Sequence, residues 1–150
     1  AGTRLAYVKP HGALYHEVVS NAAAARAFVA AVVQVAPLAV LGPAGSELLG
    51  AARKAGLRTA AEVFADRGYL ADGRLVPRGE PGAIVEDPEV VAARVVQMVT
   101  QRSVTAVDGT SVPLQVDSIC LHSDTPGAVV LARRVREALV GAGVEIGAFA

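Results

Sequence analysis

The sequence predicts an α/β fold, more closely a partial β/α barrel with parallel strands and a hairpin insertion. Short apolar runs alternate with capped helical stretches along the chain. The runs are apolar at almost every residue, which is typical of parallel strands covered on both faces. A whole barrel needs about 250 residues, whereas this chain has 150. We therefore expect one domain over residues 1–150 that supplies part of a barrel.

Four helices are predicted from their first residues. Each stretch begins at a side chain that can accept a hydrogen bond from the first free backbone N–H groups, and two of them have proline at the first helical position. The four starts are Ser20 or Asn21, Ser46, Asp87 followed by Pro88, and Thr125 followed by Pro126. Pro37 ends the first helix, and Gly56 suits the left-handed residue that ends the second.

Five apolar runs have the length and composition of strands. They cover residues 5–8, 38–41, 59–64, 116–121 and 144–148. Residues 104–116 differ, because polar and apolar residues alternate there around Asp108-Gly109, a strong two-residue turn signal. This stretch is predicted to be a hairpin that projects from the sheet. The first run begins a few residues from the first residue, so we expect further sequence upstream.

Composition excludes several classes of function. The 14 basic and 14 acidic residues give a net charge of zero, which favours neither nucleic acid nor an anionic membrane as a partner. Cys120 is the single cysteine, so no disulfide can form within the chain, and a reducing compartment is indicated. The longest apolar stretch, residues 22–41, is interrupted by Gln34 and Pro37. We expect a cytoplasmic protein.

Polar side chains collect where the predicted strands end. Ligands of parallel α/β proteins bind at the carboxyl ends of the strands, so these side chains are expected at one pocket mouth. They are Lys9 and His11 after the first strand, Asp66 and Arg67 after the third, and His122 and Asp124 after the fourth. Arg78 lies in a glycine- and proline-rich loop, residues 76–82, of a length that often marks a functional lid.

Each of these residues also has a simpler interpretation. His11 and His122 could be general acids or bases, metal ligands or structural hydrogen-bond partners. Lys9 could hold a carboxylate or phosphate, or only extend into solvent. Asp66 with Arg67 could be a local ion pair.

The two remaining candidates leave the same choice open. Asp124 could be an ordinary N-cap residue. Arg78 could clamp a carboxylate through its planar guanidinium, or be a solvated loop residue.

Four motifs, in order and at matching spacing, resemble those of the LamB/YcsF family. They are YVKPHGALY at 7–15, EVFADRGY at 62–69, LVPRGEPGA at 75–83 and CLHSDTPGA at 120–128. The chain differs from the family at Ser123, where glycine is usual, and at His16, where asparagine is common. It also lacks the family's N-terminal motifs, so the resemblance implies that other acids and a histidine of the same pocket lie outside this chain.

The resemblance implies a β/α barrel related to the glycoside hydrolase/deacetylase group. It also implies participation in the ATP-dependent opening of 5-oxoproline to glutamate, with ATP, its Mg²⁺ and the 5-oxoprolinase subunits B and C as cofactor and partners. The matching residues are assigned as catalytic (His11, His122 and Asp66) and as substrate-binding (Lys9, Arg67, Arg78 and Asp124), with no metal ligand.

Two other functions remain open. One is a metal-dependent amide hydrolase or deacetylase, with His11, His122 and an acid as ligands of a divalent metal. The other is a non-catalytic piece of a larger assembly.

Overall fold

A single sheet of four parallel strands forms the centre of the fold in this computed structural model, which describes residues 5–124 and 126–150. Its strands stand in the order β1 (Tyr7–Val8), β2 (Ala39–Pro43), β3 (Thr59–Phe64) and β6 (Ser118–Cys120). Strands that neighbour each other in space also follow each other among the sheet strands of the chain, as in a β/α barrel. The predicted α/β class and partial barrel are confirmed.

The predicted hairpin is also confirmed. β4 (Ser103–Thr105) and β5 (Ser111–Pro113) pair antiparallel in a separate two-stranded sheet. Asp108 Oδ1 accepts a hydrogen bond from the Thr110 N–H group at 3.0 Å, and Gly109 has a φ of 88°. A positive φ is free of steric cost in glycine, which suits Gly109 to the end of the turn. The turn has three residues, 107–109, and not the two that were predicted, because the Ala106 N–H group donates to the Thr110 carbonyl at 2.8 Å.

The described residues form five helices, four between strands of the chain and one after the last strand. They are α1 (Gly12–Ser20), α2 (Ala22–Val35), α3 (Glu47–Lys54), α4 (Pro88–Thr100) and α5 (Ala128–Gly141). Asn21, Ser46 and Asp87 stand at the N-caps of α2, α3 and α4, and each side chain accepts hydrogen bonds from backbone N–H groups of the first turn. These three predicted starts are therefore confirmed.

Two helix starts differ from the prediction. α1 was not predicted, because its N-cap residue His11 makes no side-chain cap and its first residue is a glycine with a φ of 59°. α5 begins at Ala128 after Gly127, two residues later than predicted. Thr125, the predicted cap of α5, lies outside the described residues.

The strand predicted at residues 144–148 is wrong. The described residues there have no strand structure. The Val144 N–H group donates to the Leu139 carbonyl at 2.9 Å, and Gly143 has a φ of 75°, which is the geometry that ends a helix. An apolar run becomes a strand only by pairing with another, and composition alone does not show whether a partner is available.

The described chain divides into two compact units, residues 5–62 with 149–150 and residues 63–148. The core of the first unit contains Val18, Val29, Val40, Leu48 and Leu49. The second unit has two apolar clusters, one around Met98 and Val104 and the other around Val91, Val95 and Leu131. The single domain over residues 1–150 stays a prediction.

No single helix of the described chain combines the length and the apolar character needed to cross a membrane. By length and composition alone, α1 and α2 pass that test only when taken together, and their axes are bent by 114° at the break between them. Buried side chains of α2 (Ala25, Val29 and Val32) face the interior of the first unit.

Candidate active site

Asp66 and His122 form a hydrogen-bonded pair in the second unit. The Nδ1 atom of His122 lies 2.9 Å from Asp66 Oδ1 and 3.0 Å from Oδ2. The backbone N–H group of His122 also donates to Oδ2 at 3.3 Å. The Asp66 side chain is 0% exposed, whereas that of His122 is 23% exposed. The histidine can therefore meet solvent or a ligand, and the aspartate acts only through it.

Two strand ends bring this pair together. Asp66 follows β3 and His122 follows β6, and the Ala65 N–H group donates to the Cys120 carbonyl at 2.9 Å between them. The ring of Phe64 stacks on the His122 imidazole, with centroids 5.8 Å apart and planes 11° from parallel. The imidazole is thus held by a carboxylate on one nitrogen and by an aromatic ring on one face.

The pair has the chemistry of an oriented base. A carboxylate that accepts the Nδ1 proton fixes the tautomer of the imidazole, so that Nε2 carries the lone pair. The same negative charge stabilises the imidazolium that forms when Nε2 takes a proton. Such a histidine suits proton transfer to and from a reacting group.

A second polar cluster lies in the first unit, where Lys9 pairs with Glu62. The Lys9 ammonium contacts Glu62 Oε1, and the Tyr15 hydroxyl donates to Oε2 at 3.2 Å. Lys9 Nζ also lies 5.9 Å from the centre of the Tyr15 ring. The side chains of Lys9 and Glu62 are 14% and 2% exposed. The simpler of the two interpretations of Lys9, a side chain that only extends into solvent, is therefore wrong.

Sequence reasoning missed Glu62. Its signal was available, because it is an acidic residue near the end of a strand that is otherwise apolar from Ala60 to Phe64. A carboxylate in such a strand needs a partner to offset the cost of burial. Lys9, which follows the first strand, was the cation available to it.

Arg67 is buried and bonded to the backbone of its own loop. Its Nε donates to the Ala83 carbonyl at 2.9 Å and an Nη donates to the Val76 carbonyl at 2.6 Å. Burial lowers the pKa of Arg67, and the charge of Arg78 lowers it further. The Arg67 carbonyl in turn accepts a hydrogen bond from Arg94 at 2.8 Å. These contacts favour a structural role, and the contact of Arg67 with substrate stays a prediction.

Three other predicted site residues are exposed. His11 is the N-cap residue of α1 and belongs to the first unit. Arg78 and Asp124 belong to the second unit, in the loops after β3 and β6. The N-cap residue of α5 is Gly127, so Asp124 does not occupy the capping position suggested as its simpler role. The common pocket mouth for all the candidates stays a prediction.

Within residues 5–124 and 126–150, no group of three His, Cys, Asp or Glu side chains is arranged to hold a metal ion.

A loop of small residues before α3 lies at a helix N-terminus, where the phosphates of a nucleotide could bind. There, Gly45 has a φ of 73°, but the Ser46 hydroxyl is already bonded to the Pro43 carbonyl at 2.7 Å and to the Leu49 N–H group at 3.3 Å.

Comparison with known proteins gives consistent results. The model of the LamB/YcsF family matches residues 1–150. The 5-oxoprolinase A subunit of Mycobacterium avium (strain 104) is 55% identical over 150 residues, which cover 99% of this chain and 60% of that protein. The protein of the same name from Streptomyces griseus is 55% identical over 152 residues, which cover 100% of this chain and 60% of that protein.

The fold of the chain also matches that of a protein whose structure has been solved. The lactam utilization protein from Thermus thermophilus superimposes with a TM-score of 0.92 at 44% identity, over 99% of this chain and 59% of that one. The chain thus spans about three fifths of the length of the proteins it matches.

Proposed function

The chain belongs to the LamB/YcsF family, and we propose that it forms part of the A subunit of an ATP-dependent 5-oxoprolinase, a cyclic amide hydrolase. The reaction opens 5-oxo-L-proline (pyroglutamate) to L-glutamate. The names of the Mycobacterium and Streptomyces relatives support the substrate, and the name of the Thermus protein supports a lactam. The observation that carries the proposal is the Asp66–His122 pair, because opening a lactam requires an oriented group that moves protons.

The chemical problem is the stability of the ring amide. Water must add to the ring carbonyl carbon, and the bond from that carbon to nitrogen must then break. ATP supplies the activation: transfer of its terminal phosphoryl group to the ring carbonyl oxygen releases ADP and makes the ring carbon electrophilic. After water adds, the carbon–nitrogen bond breaks and leaves an acyl phosphate, which a second water hydrolyses to the carboxylate and inorganic phosphate. The products are a carboxylate and an amine, so one proton leaves the attacking water and another reaches the ring nitrogen.

His122 is the group placed to move these protons. Its Nε2 takes the proton of the attacking water while Asp66 holds the opposite nitrogen. The resulting imidazolium can then give a proton to the departing ring nitrogen, so one residue serves as base and acid. Asp66 is fully buried and touches neither substrate nor water in this scheme. It is a positioning residue.

The remaining candidates take charge-holding roles in the proposal. Lys9 and Arg78 hold the negative charge of the substrate carboxylate or of phosphate. Asp124 is assigned to substrate binding, and His11 is a second candidate for proton transfer. Of these, Lys9 has the strongest support, because it is largely buried beside Glu62.

The partners and the compartment belong to the same proposal. Both relatives carry the name of one subunit of 5-oxoprolinase, which supports an assembly of several subunits, and we assign the B and C subunits as the partners. ATP brings its own Mg²⁺ to this assembly. A chain with one cysteine suits the cytoplasm.

Release of glutamate tests the proposal. The full-length protein that contains these residues is assembled with the B and C subunits and given 5-oxoproline. We expect glutamate to appear only when ATP is added, with one ATP hydrolysed per glutamate. The 150-residue chain in place of the full-length protein should release none. Glutamate release without ATP, or no release from the complete assembly, would contradict the proposal.

A further inference from the structure

Lys9, Glu62 and Tyr15 form a cluster whose chemistry the scheme above leaves unexplained. Glu62 accepts contacts with both carboxylate oxygens, from the Lys9 ammonium on Oε1 and from the Tyr15 hydroxyl on Oε2. The Tyr15 ring also lies beside the ammonium, 5.9 Å from its centre. Two groups from the start of the chain thus converge on a single acid of β3.

Stability is a poor explanation for this arrangement. A buried ion pair loses the hydration of both charges, and apolar residues of the same volume often replace one at no cost. Among the buried residues that the structure describes in the first unit, Glu62 is the one that carries a charge, and the others are apolar except for Ser46. A charge kept in such a unit suggests a role other than stability.

Burial decides which of the two charges can meet a ligand. The Glu62 side chain is 2% exposed, so it cannot reach substrate, whereas that of Lys9 is 14% exposed. The Lys9 ammonium donates to Glu62 Oε1. Glu62 therefore acts through Lys9, fixing the direction of a flexible four-carbon side chain before any ligand arrives.

We propose that Glu62 and Tyr15 are positioning residues that hold the Lys9 ammonium as the cation binding an anionic oxygen group of the substrates. This inference rests on the proposed function and adds two residues to its binding site. The anion is the carboxylate of 5-oxoproline or a phosphate of ATP. The two sources differ in the kinetic constant that changes, either KM for 5-oxoproline or KM for ATP.

A double-mutant cycle in the assembled full-length enzyme tests the coupling. Glu62→Gln keeps the size of the side chain and removes its charge, and Lys9→Met keeps the length of the stem. We expect each single variant to raise one of the two KM values by about tenfold or more and to change kcat less. The KM of the double variant should lie within about threefold of the KM of Lys9→Met, since Glu62 acts through Lys9. Unchanged KM values, or fully additive effects, would overturn the proposal.

Two further variants separate this role from a general loss of structure. Tyr15→Phe removes only the hydroxyl group that bonds Glu62 Oε2, and we expect a smaller rise in the same KM. Glu89→Gln breaks an exposed ion pair with Arg134 on the outer helices, and we expect wild-type kinetics. A Glu89→Gln variant as impaired as Glu62→Gln would also count against the proposal.

A labelling measurement keeps the test independent of turnover. Lys9 and Lys54 are the lysines of these 150 residues, and Lys54 lies exposed in the last turn of α3. We expect an amine reagent to modify Lys9 more slowly than Lys54 in the wild type. The rate of Lys9 modification relative to that of Lys54 should rise in Glu62→Gln. Added 5-oxoproline or ATP should slow modification of Lys9 alone.

The two assays fail in different ways. An enzyme that releases no glutamate but whose Lys9 is protected by 5-oxoproline or ATP refutes the proposed reaction and keeps the binding role. Equal modification of Lys9 in the wild type and in Glu62→Gln, or no protection by either compound, overturns the role of Glu62 and Lys9 whatever the turnover.

Discussion

At the scale of single residues, the position of the site was easier to predict than the contacts within it. Asp66 and His122 were predicted to be near each other because both follow strands of a parallel sheet, and they are 2.9 Å apart. The sequence did not show that Lys9 would face Glu62, because residue pairing depends on how distant segments pack. The sequence also did not show that Arg67 would bond backbone carbonyl groups of its own loop, and its contact with substrate stays a prediction.

Replacing Asp66 by asparagine tests whether this residue orients the histidine. Asparagine has one neutral acceptor oxygen and an NH₂ donor in place of two charged oxygens. The imidazole therefore loses its fixed tautomer and the negative charge that stabilises its protonated form. We expect kcat to fall by about 10² to 10⁴, with little change in KM for 5-oxoproline. Steady-state glutamate release measures both. A normal kcat, or a loss confined to KM, would show that Asp66 has another role.

At the scale of elements, the helix caps and the hairpin were predicted from local signals, whereas the strand predicted at residues 144–148 from composition alone is wrong. The caps of α2, α3 and α4 were predicted because each cap side chain bonds backbone N–H groups only two or three residues further along the chain. The start of α1 carries no such signal, since its N-cap makes no side-chain bond. Residues 144–148 look like a strand in composition, but the chain there continues from the end of α5 without pairing.

Gly68 provides a test of how the loop after β3 is held. Its N–H group donates to the Ala83 carbonyl at 3.0 Å, and a Cβ atom at this position would lie 2.0 Å from the Gly82 carbonyl oxygen. We expect Gly68→Ala to lower the free energy of unfolding by about 1–3 kcal/mol or more, because backbone must move. Urea unfolding of the full-length protein gives the value.

Gly50 is the matched control for this prediction. It lies inside α3, and a Cβ atom there meets nothing within 4 Å. We expect Gly50→Ala to raise the free energy of unfolding by about 0.5–1 kcal/mol, because alanine loses less backbone freedom in a helix. Effects of the same sign for the two substitutions would show that the packing around Gly68 is looser than described.

At the scale of the whole molecule, the sequence predicted the fold class but not the division of the chain. The alternation of strands and capped helices was enough for a parallel α/β sheet, since such runs need cover on both faces. The boundary between the two units falls inside β3, after Glu62, and no linker composition marks it. The two polar clusters lie one in each unit, with Glu62 and Asp66 four residues apart along the chain.

The Asp66–His122 pair is the part of the proposed enzyme that this chain supplies. The chain spans about three fifths of its relatives, so we expect a working enzyme only in the full-length protein with its partners. Within this chain, the Asp66–His122 pair combines a buried carboxylate with a partly exposed histidine. The proposed reaction depends on that pair more than on any other contact.

The most direct measurement is the kcat for glutamate release by the assembled enzyme carrying His122→Gln. Two matched histidine variants accompany it: His11→Ala, at the second candidate for proton transfer, and His16→Gln, on the exposed side of α1. We expect His122→Gln to lower kcat by at least about a hundredfold, and His16→Gln to leave it unchanged. Wild-type kcat in His122→Gln, with a loss in His11→Ala instead, would contradict the assignment of His122 as the proton-transferring residue.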